Sequence, residues 1–323
     1  MEREPITEFA AEETYDIVVV GAGCAGVPAV LTAVEEGAKV ACLQKEATVS
    51  ANGNGCSFVV KAHSNPAGIV RWRSDWARLN DWRINNELFN YYVEYAEEAV
   101  PWVISQGRSV GIEPIEFLTD SSIRYDDGGV VAVCDATQAS NQDLMVALAQ
   151  KAAEGGATFY YETPCVQLVQ EEDGTVTGAI GKQKDGSYVK LNATKGVVLA
   201  AGDYAADPEM LDYYTAWDFD SFDPDFFINE STGTGDGHKI GLWAGAAMQP
   251  GPHPLMTFMA YAYSYLRVNN LGQRYVNEDT GYTGGGNAQL IQPAGASWAI
   301  WDDKWREELP AQMPYAGGMS WDQ

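Results

Sequence analysis

The chain has 323 residues, 46% of them hydrophobic, with 33 glycines and a formal charge of −25 at pH 7. That length accommodates two domains around a sizeable core. The acidic balance repels phosphate backbones and anionic lipid, which argues against nucleic-acid or membrane-surface binding. No apolar run reaches the ~18 residues of a membrane span, and no basic-then-apolar signal precedes the first strand.

In chain order, an acidic leader over residues 1–14 is expected to carry little order. The apolar run Ile17–Val20 then breaks into Gly21-x-Gly23-x-x-Gly26. Val27, Val30, Leu31 and Val34 follow at helical spacing, Gly37 stops the helix, and Val40–Leu43 reads as a second strand. This is strand, glycine turn, helix and strand in the length of a βαβ unit. Gly21 permits the tight turn, Gly23 lets backbone approach a pyrophosphate, and Gly26 lets the helix pack close with its N-terminus toward the phosphates. A bound dinucleotide is the expectation.

Five cysteines (Cys24, Cys42, Cys56, Cys134, Cys165) lie far apart, form no CxxC pair and show no metal-ligand spacing. Cys24 and Cys42 read as small core residues of the βαβ unit. An iron–sulfur cluster would need ligands gathered from distant segments and is carried only as a secondary expectation.

Residues 85–106 have helical periodicity ending before Gly107, and Asn141–Ala153 forms another amphipathic helix stopped by Gly155-Gly156. Short strands are expected at Thr158–Tyr161, Val166–Gln170, Thr175–Ile180 and Tyr188–Leu191. Asp173-Gly174 and Asp185-Gly186 mark hairpin turns between them. Gly196–Leu199 reads as a buried strand ending on the small-residue turn Ala200-Ala201-Gly202.

That order, with its "VVLAAGDYAADPEML" segment, resembles the flavoprotein family of fumarate reductase and succinate dehydrogenase. Flavin-dependent ene-reductases and ketosteroid dehydrogenases belong to the same family, and bacterial cardiac glycoside reductases look like its nearest members. The resemblance covers roughly residues 15 to 305. It implies an α/β fold: a Rossmann-like FAD-binding domain with an antiparallel β insertion over 15–248, plus the start of an α+β capping domain over 249–323. The implied cofactor is FAD, held non-covalently, since no histidine stands where the respiratory members attach it.

Carried over by residue, the resemblance gives Gly21, Gly23, Ala25 and Gly26 to the pyrophosphate. Gln44 falls where the family usually has a ribose-binding glutamate, and Lys45 matches the basic residue after it. Ser50, Asn52, Gly53, Asn54 and Gly55 match the loop against the isoalloxazine, Val166 the backbone contact to adenine, and Ala200, Ala201 and Gly202 the "ATGG" turn. Thr234, Gly235 and Asp236 match the "TGDG" turn that opens a helix beside the flavin, with Asp236 expected as its N-cap.

Pro252-His253-Pro254 matches the family's "HPT" segment, which makes His253 the implied substrate-bonding histidine; His63 and His238 have no such support. In fumarate reductases an arginine that protonates the substrate follows an asparagine–glutamate pair. Here the run Asn277-Glu278-Asp279-Thr280-Gly281-Tyr282-Thr283 has none, and Tyr282 takes the slot. Tyrosine retains proton-transfer capacity without a fixed positive charge. The expected reaction is reduction of an activated C=C bond in a bulkier, less charged acceptor than fumarate, an unsaturated carbonyl of steroid or lactone type. The expected partners are that small molecule and an electron-donor protein, such as a cytochrome or a reduced flavin or quinol system.

Family members continue well past this length, so the chain reads as stopping inside its cap. Other readings are an incomplete, non-catalytic FAD-binding fragment, a 3-ketosteroid dehydrogenase working in the oxidative direction, and a fumarate- or urocanate-type reductase. The bacterial cytoplasm and, if an export signal was removed, the periplasm or cell surface both fit.

Overall fold

Burial alternates along the first strand: Val19 packs into one apolar cluster, while Val18 and Val20 pack into another on the opposite side. An interior strand covered on both faces behaves this way. The computed structural model describes residues 4–53, 55–80, 82–113, 115–117, 122–137, 140–215, 232–253 and 265–278, then 285, 288–289, 291–293, 296–305 and 307–308. Within these, β1 (Ala11–Val20), α1 (Gly26–Glu35) and β2 (Val40–Leu43) form the expected βαβ unit.

The chain continues through β3 (Gly55–Val59), α2 (Pro66–Leu79), α3 (Asn86–Ser109), β4 (Ile115–Phe117), β5 (Ser122–Arg124) and β6 (Val130–Thr137). Then come α4 (Asn141–Glu154), β7 (Thr158–Tyr160), β8 (Cys165–Gln170), β9 (Val176–Lys182) and β10 (Tyr188–Leu199). The last described elements are α5 (Pro208–Tyr214), α6 (Asp236–Trp243), β11 (Leu266–Asn269) and β12 (Ser297–Ile300).

The main sheet has strand order β7-β2-β1-β10-β9-β8. Its first four strands run parallel and β8 to β10 are antiparallel, so the expected architecture, a Rossmann-like sheet with an antiparallel insertion, is the one observed. Gly174 and Gly186 adopt φ of +85° and +88° at the two Asp-Gly turns. Asp173 and Asp185 each accept the backbone N–H two residues on, at 2.9 Å, which pre-sets both hairpins.

One face of the sheet (Val19, Val40, Cys42) is covered by Val27, Val30 and Leu31 of α1 and by Leu144 and Leu148 of α4. The other presents Val18, Val20, Ala41, Leu43 and Leu191 to Ile240 of α6. At roughly 1.5–3 kcal/mol for each fully buried aliphatic side chain, these two layers hold the glycine turn between β1 and α1 in place. A second sheet, β3-β6-β4 with β5 also on β6, packs Val59 and Val131 against Trp72 of α2. Periodicity does not announce it. A start signal for α2 stands in Asn65-Pro66, where Asn65 accepts the Gly68 N–H at 2.8 Å and proline occupies the first turn.

Three expectations change. The leader is partly ordered: β1 begins at Ala11, paired with Val189, and the Ala10 N–H donates to Tyr188 O at 2.8 Å. The acidic residues there sit on a strand edge where they find Lys190 and Asn192, both bonded to Glu12. The strands expected at 188–191 and 196–199 are one twelve-residue strand, because β10 serves β9 with its first half while running beside β1. Its end is not buried as expected: Leu199 is 42% exposed because it faces the cleft described next.

Candidate functional site

The glycine turn forms the floor of a cleft of about 1130 Å³. Gly21 adopts φ +100°, and a Cβ there would lie 2.3 Å from the Ala200 carbonyl oxygen. A Cβ on Gly26 would lie 1.8 Å from the Gly21 carbonyl oxygen, and one on Gly23 would lie 2.9 Å from that of Ser50. All three glycines are therefore required by close backbone approach. Ala25 caps α1 with no side-chain acceptor; the Val27 N–H donates to Gly23 O at 3.0 Å and Pro28 has no N–H, so of the first turn the Gly26 N–H is what an outside anion can meet. Gly21, Gly23, Ala25, Ala200, Ala201 and Gly202 all line the cleft, with Gly26 directly beneath.

Gln44 lines the cleft, is buried, and bonds two groups of the protein. Its Oε1 accepts the Ala22 N–H at 3.2 Å and its Nε2 donates to Thr48 O at 2.8 Å. The amide braces the glycine turn and keeps its second Nε2–H and a second Oε1 lone pair for another partner. Lys45 crosses the cleft, donating to Thr234 Oγ1 at 2.6 Å and pairing with the Asp236 carboxylate at 3.1 Å. Asp236 is not the N-cap of α6: that position is Gly235, with φ +67°, and Asp236 is the first residue inside the helix. Its carboxylate faces Lys45 and the Thr234 hydroxyl instead.

The 50–53 loop is pinned by the start of α4. Gln142 accepts the Ala51 N–H at 2.8 Å and donates to Val49 O at 2.7 Å, while Asn141 Nδ2 donates to Asn52 O at 2.9 Å. Ser50 and Asn52 face the cleft; Gly53, with φ +82°, turns away to accept the Asn141 N–H at 3.1 Å, and Gly55 opens β3. Asn54 lies outside the described residues. Asn141 and Gln142 were not legible as site residues, since nothing local links them to position 50. Val166 lies at the register break between Cys165 and Gln167, just past the cleft-lining Pro164 and Cys165.

Cys42 is a core residue, with burial pushing its thiol up to about 12, but Cys24 is exposed and lines the cleft, its Sγ donating to Asn52 O at 3.4 Å. It sits in the turn, where no strand or helix covers it. Among the described residues no group of three or more His, Cys, Asp or Glu side chains could hold a metal ion, and no helix is long and apolar enough to cross a membrane.

Beyond Gly202, the chain departs from two successive glycines, placing Asp203 in the cleft beside His238 of α6. The His238 Nδ1 is buried without a hydrogen-bond partner, and burial holds the ring below the ordinary histidine range. Its ring stands edge-on to Tyr204 at 5.4 Å. Tyr204 in turn bonds His253 Nδ1 at 2.5 Å, and the His253 ring stacks on Tyr214 at 5.4 Å and 5°. His253 thus lies one side chain behind the cleft wall; it is held by the protein and is not among the lining residues. His238, given no role by sequence, is the histidine that faces the cleft. Tyr282 lies outside the described residues.

Arg274 Nε donates to Glu278 at 2.9 Å, and Lys239 is ion-paired with Asp207. The Arg274 guanidinium holds the Glu278 carboxyl at about 2.

A family profile described as "FAD binding domain" matches residues 16–281. A vinyl phenol reductase of Lactiplantibacillus plantarum is 26% identical over 317 residues, covering 88% of this chain and 61% of the relative. A fumarate reductase (cytochrome) of Shewanella frigidimarina is 24% identical over 345 residues, covering 98% and 57%. The chain thus spans roughly three-fifths of the length of these curated relatives. The crystal structure of a 3-ketosteroid-Δ4-(5α)-dehydrogenase from Rhodococcus jostii shares the fold, with a TM-score of 0.65 and 21% identity over 98% of this chain and 72% of that one.

The residues present fit FAD. The three glycines form a cradle that any Cβ would fill, α1 begins there without a side-chain cap, and His238 brings an orphaned buried nitrogen to the same cleft.

Proposed function

The chain belongs to the FAD-binding domain family, and on that premise we propose that it is the flavin-holding part of an oxidoreductase that reduces an activated C=C bond in an uncharged unsaturated carbonyl compound. When bound, FAD supplies the hydride-transfer chemistry. The cradle of Gly21, Gly23 and Gly26 would hold the pyrophosphate, with Ser50, Asn52 and the Ala200–Gly202 turn along the rest of the cofactor. The observation that carries this reading is the convergence of three segments, at 21–26, 200–202 and 232–237, on one cleft.

The uncharged acceptor is inferred from the cations. Lys45, which lines the cleft, is paired with Asp236; Lys239 and Arg274 are paired with Asp207 and Glu278; and Asp203 lines the cleft beside them. A dicarboxylate needs unspent guanidinium groups to clamp it. Tyr282 supplies the proton in this proposal, on the strength of its place in the Asn277–Thr283 run. His253 is proposed to bond the substrate carbonyl through Nε2, which now bonds Gln249 O at 2.8 Å, from outside the lining of the cofactor cleft.

The test loads the protein with FAD, reduces it without oxygen, adds a steroid enone or an unsaturated lactone, and quantifies saturated product by mass spectrometry. One equivalent of saturated product per flavin is expected. Flavin that stays reduced, with no product from either compound, overturns the reading.

A further inference from the structure

We propose that His238 is a flavin-contacting residue: its Nε2–H donates a hydrogen bond to an acceptor atom of the isoalloxazine ring. The inference rests on the reading of the cleft as an FAD site and adds the side chain that would meet the flavin.

His238 lines the cleft from the first turn of α6, yet its Nδ1 is buried with no partner. No described residue bonds Nε2, so that nitrogen is the open edge of the ring. A buried N–H without an acceptor is the costlier of the two ways to leave Nδ1 unpaired. The single proton of the neutral ring therefore belongs on Nε2, facing the cleft. Burial holds the ring below the ordinary histidine range, against the Asp203 carboxylate and with the His253 ring. Tyr204 meets it edge-on at 5.4 Å and adds no charge.

Position selects the part of the cofactor. A Cβ on Gly21 would meet Ala200, and one on Gly237 would lie 2.7 Å from Ala201, so His238 stands one step along the wall from the glycine cradle. Asp236 faces Lys45 at the end of β2, where a βαβ dinucleotide site holds its ribose. His238 is two residues on, about 200° round the helix, and meets Asp203, Tyr204 and His253 instead. A carboxylate at that place disfavours the pyrophosphate and tolerates the uncharged flavin ring.

The full chain has three histidines, so spectra of 15N-histidine-labelled protein are tractable, and His238→Gln identifies the His238 signals by their loss. Two-bond 1H–15N correlations should show His238 in the cofactor-free protein as the neutral Nε2–H form. Adding FAD should shift the His238 nitrogens. Adding ADP, which carries the adenosine and pyrophosphate without the flavin, should not. His238→Leu should weaken FAD about tenfold in fluorescence titration, the scale of one lost hydrogen bond. His238→Gln, whose amide still donates, should stay within about threefold of wild type. A proton on Nδ1, shifts of the same size with ADP, or full FAD affinity in His238→Leu overturns the proposal. So does FAD that binds and leaves His238 unmoved, an outcome that spares the functional reading; a chain that takes up no FAD overturns both. The wild-type spectra decide these points even where a variant does not fold.

Discussion

Lys45 Nζ donates to Thr234 Oγ1 at 2.6 Å, joining the end of β2 to the turn before α6 across 189 positions of sequence. The same ammonium accompanies the Asp236 carboxylate at 3.1 Å, in a half-exposed setting. Exposed pairs contribute little to stability, with a median of about 0–1 kcal/mol. Both partners face the cleft, so the contact matters more to the shape of the site than to the fold. Lys45→Ala is expected to cost under about 1 kcal/mol in urea denaturation. It should weaken FAD roughly tenfold, as about 1.4 kcal/mol of lost binding, read by flavin fluorescence titration.

Gly26→Ala places a Cβ 1.8 Å from the Gly21 carbonyl oxygen, with backbone on both sides of the conflict. Overpacking of this kind typically costs about 1–3 kcal/mol, and here relief requires opening the phosphate turn itself. The variant should lose FAD in gel filtration while its far-ultraviolet circular dichroism stays close to wild type. Gly37→Ala is the control for a glycine away from the cleft: nothing lies within 4 Å of a Cβ there, and its strain comes only from φ +79°.

Gln44→Glu restores the residue the family usually carries, yet the structure predicts a loss. Gln44 Nε2 donates to Thr48 O, and a carboxylate in its place sets two acceptors against each other in a buried site. A buried group left unsatisfied costs about 1–3 kcal/mol. Thermal denaturation should show destabilisation, with no gain in FAD affinity.

Glu278 gives a pH dependence whose sign is fixed by its partner. Its carboxyl lies at about 2 in the folded protein against 4.5 ordinarily, because Arg274 hydrogen-bonds the charged form. A carboxyl depressed by folding stabilises the folded state above its unfolded value, and that contribution is lost as pH falls through the folded one. Wild type should therefore lose stability between about pH 4.5 and 2. Glu278→Gln should start less stable at neutral pH and lose less over that interval, as measured by urea midpoints at each pH.

Much of the fold was legible because its signals are local. Gly21, Gly23 and Gly26 meet their constraints within a few residues, and the Asp-Gly pairs carry their own turn geometry. The β3–β6 sheet was not legible, since its partners are separated by about 75 residues and its strands lack an alternating pattern. Among site residues, the phosphate cradle could be read directly. The N-cap expected at Asp236 is Gly235, and the side chains of Gln44 and Asp236 meet tertiary partners, Thr48, Ala22 and Lys45, that no local pattern announces. His238 was passed over because a histidine in an amphipathic helix declares nothing until its neighbours leave Nδ1 buried and unpartnered.

The central claim is that the cleft serves an uncharged acceptor. It is tested most directly by following reduced flavin in the FAD-loaded protein as it reoxidises under anaerobic conditions, with a steroid enone and fumarate in parallel and with Tyr282→Phe alongside wild type. The account predicts reoxidation by the enone at least tenfold faster than by fumarate, and a fall of roughly 10²–10⁴ in the enone rate for the variant, the usual contribution of a positioned proton donor. Faster reoxidation by fumarate, or an enone rate untouched by Tyr282→Phe, would contradict it.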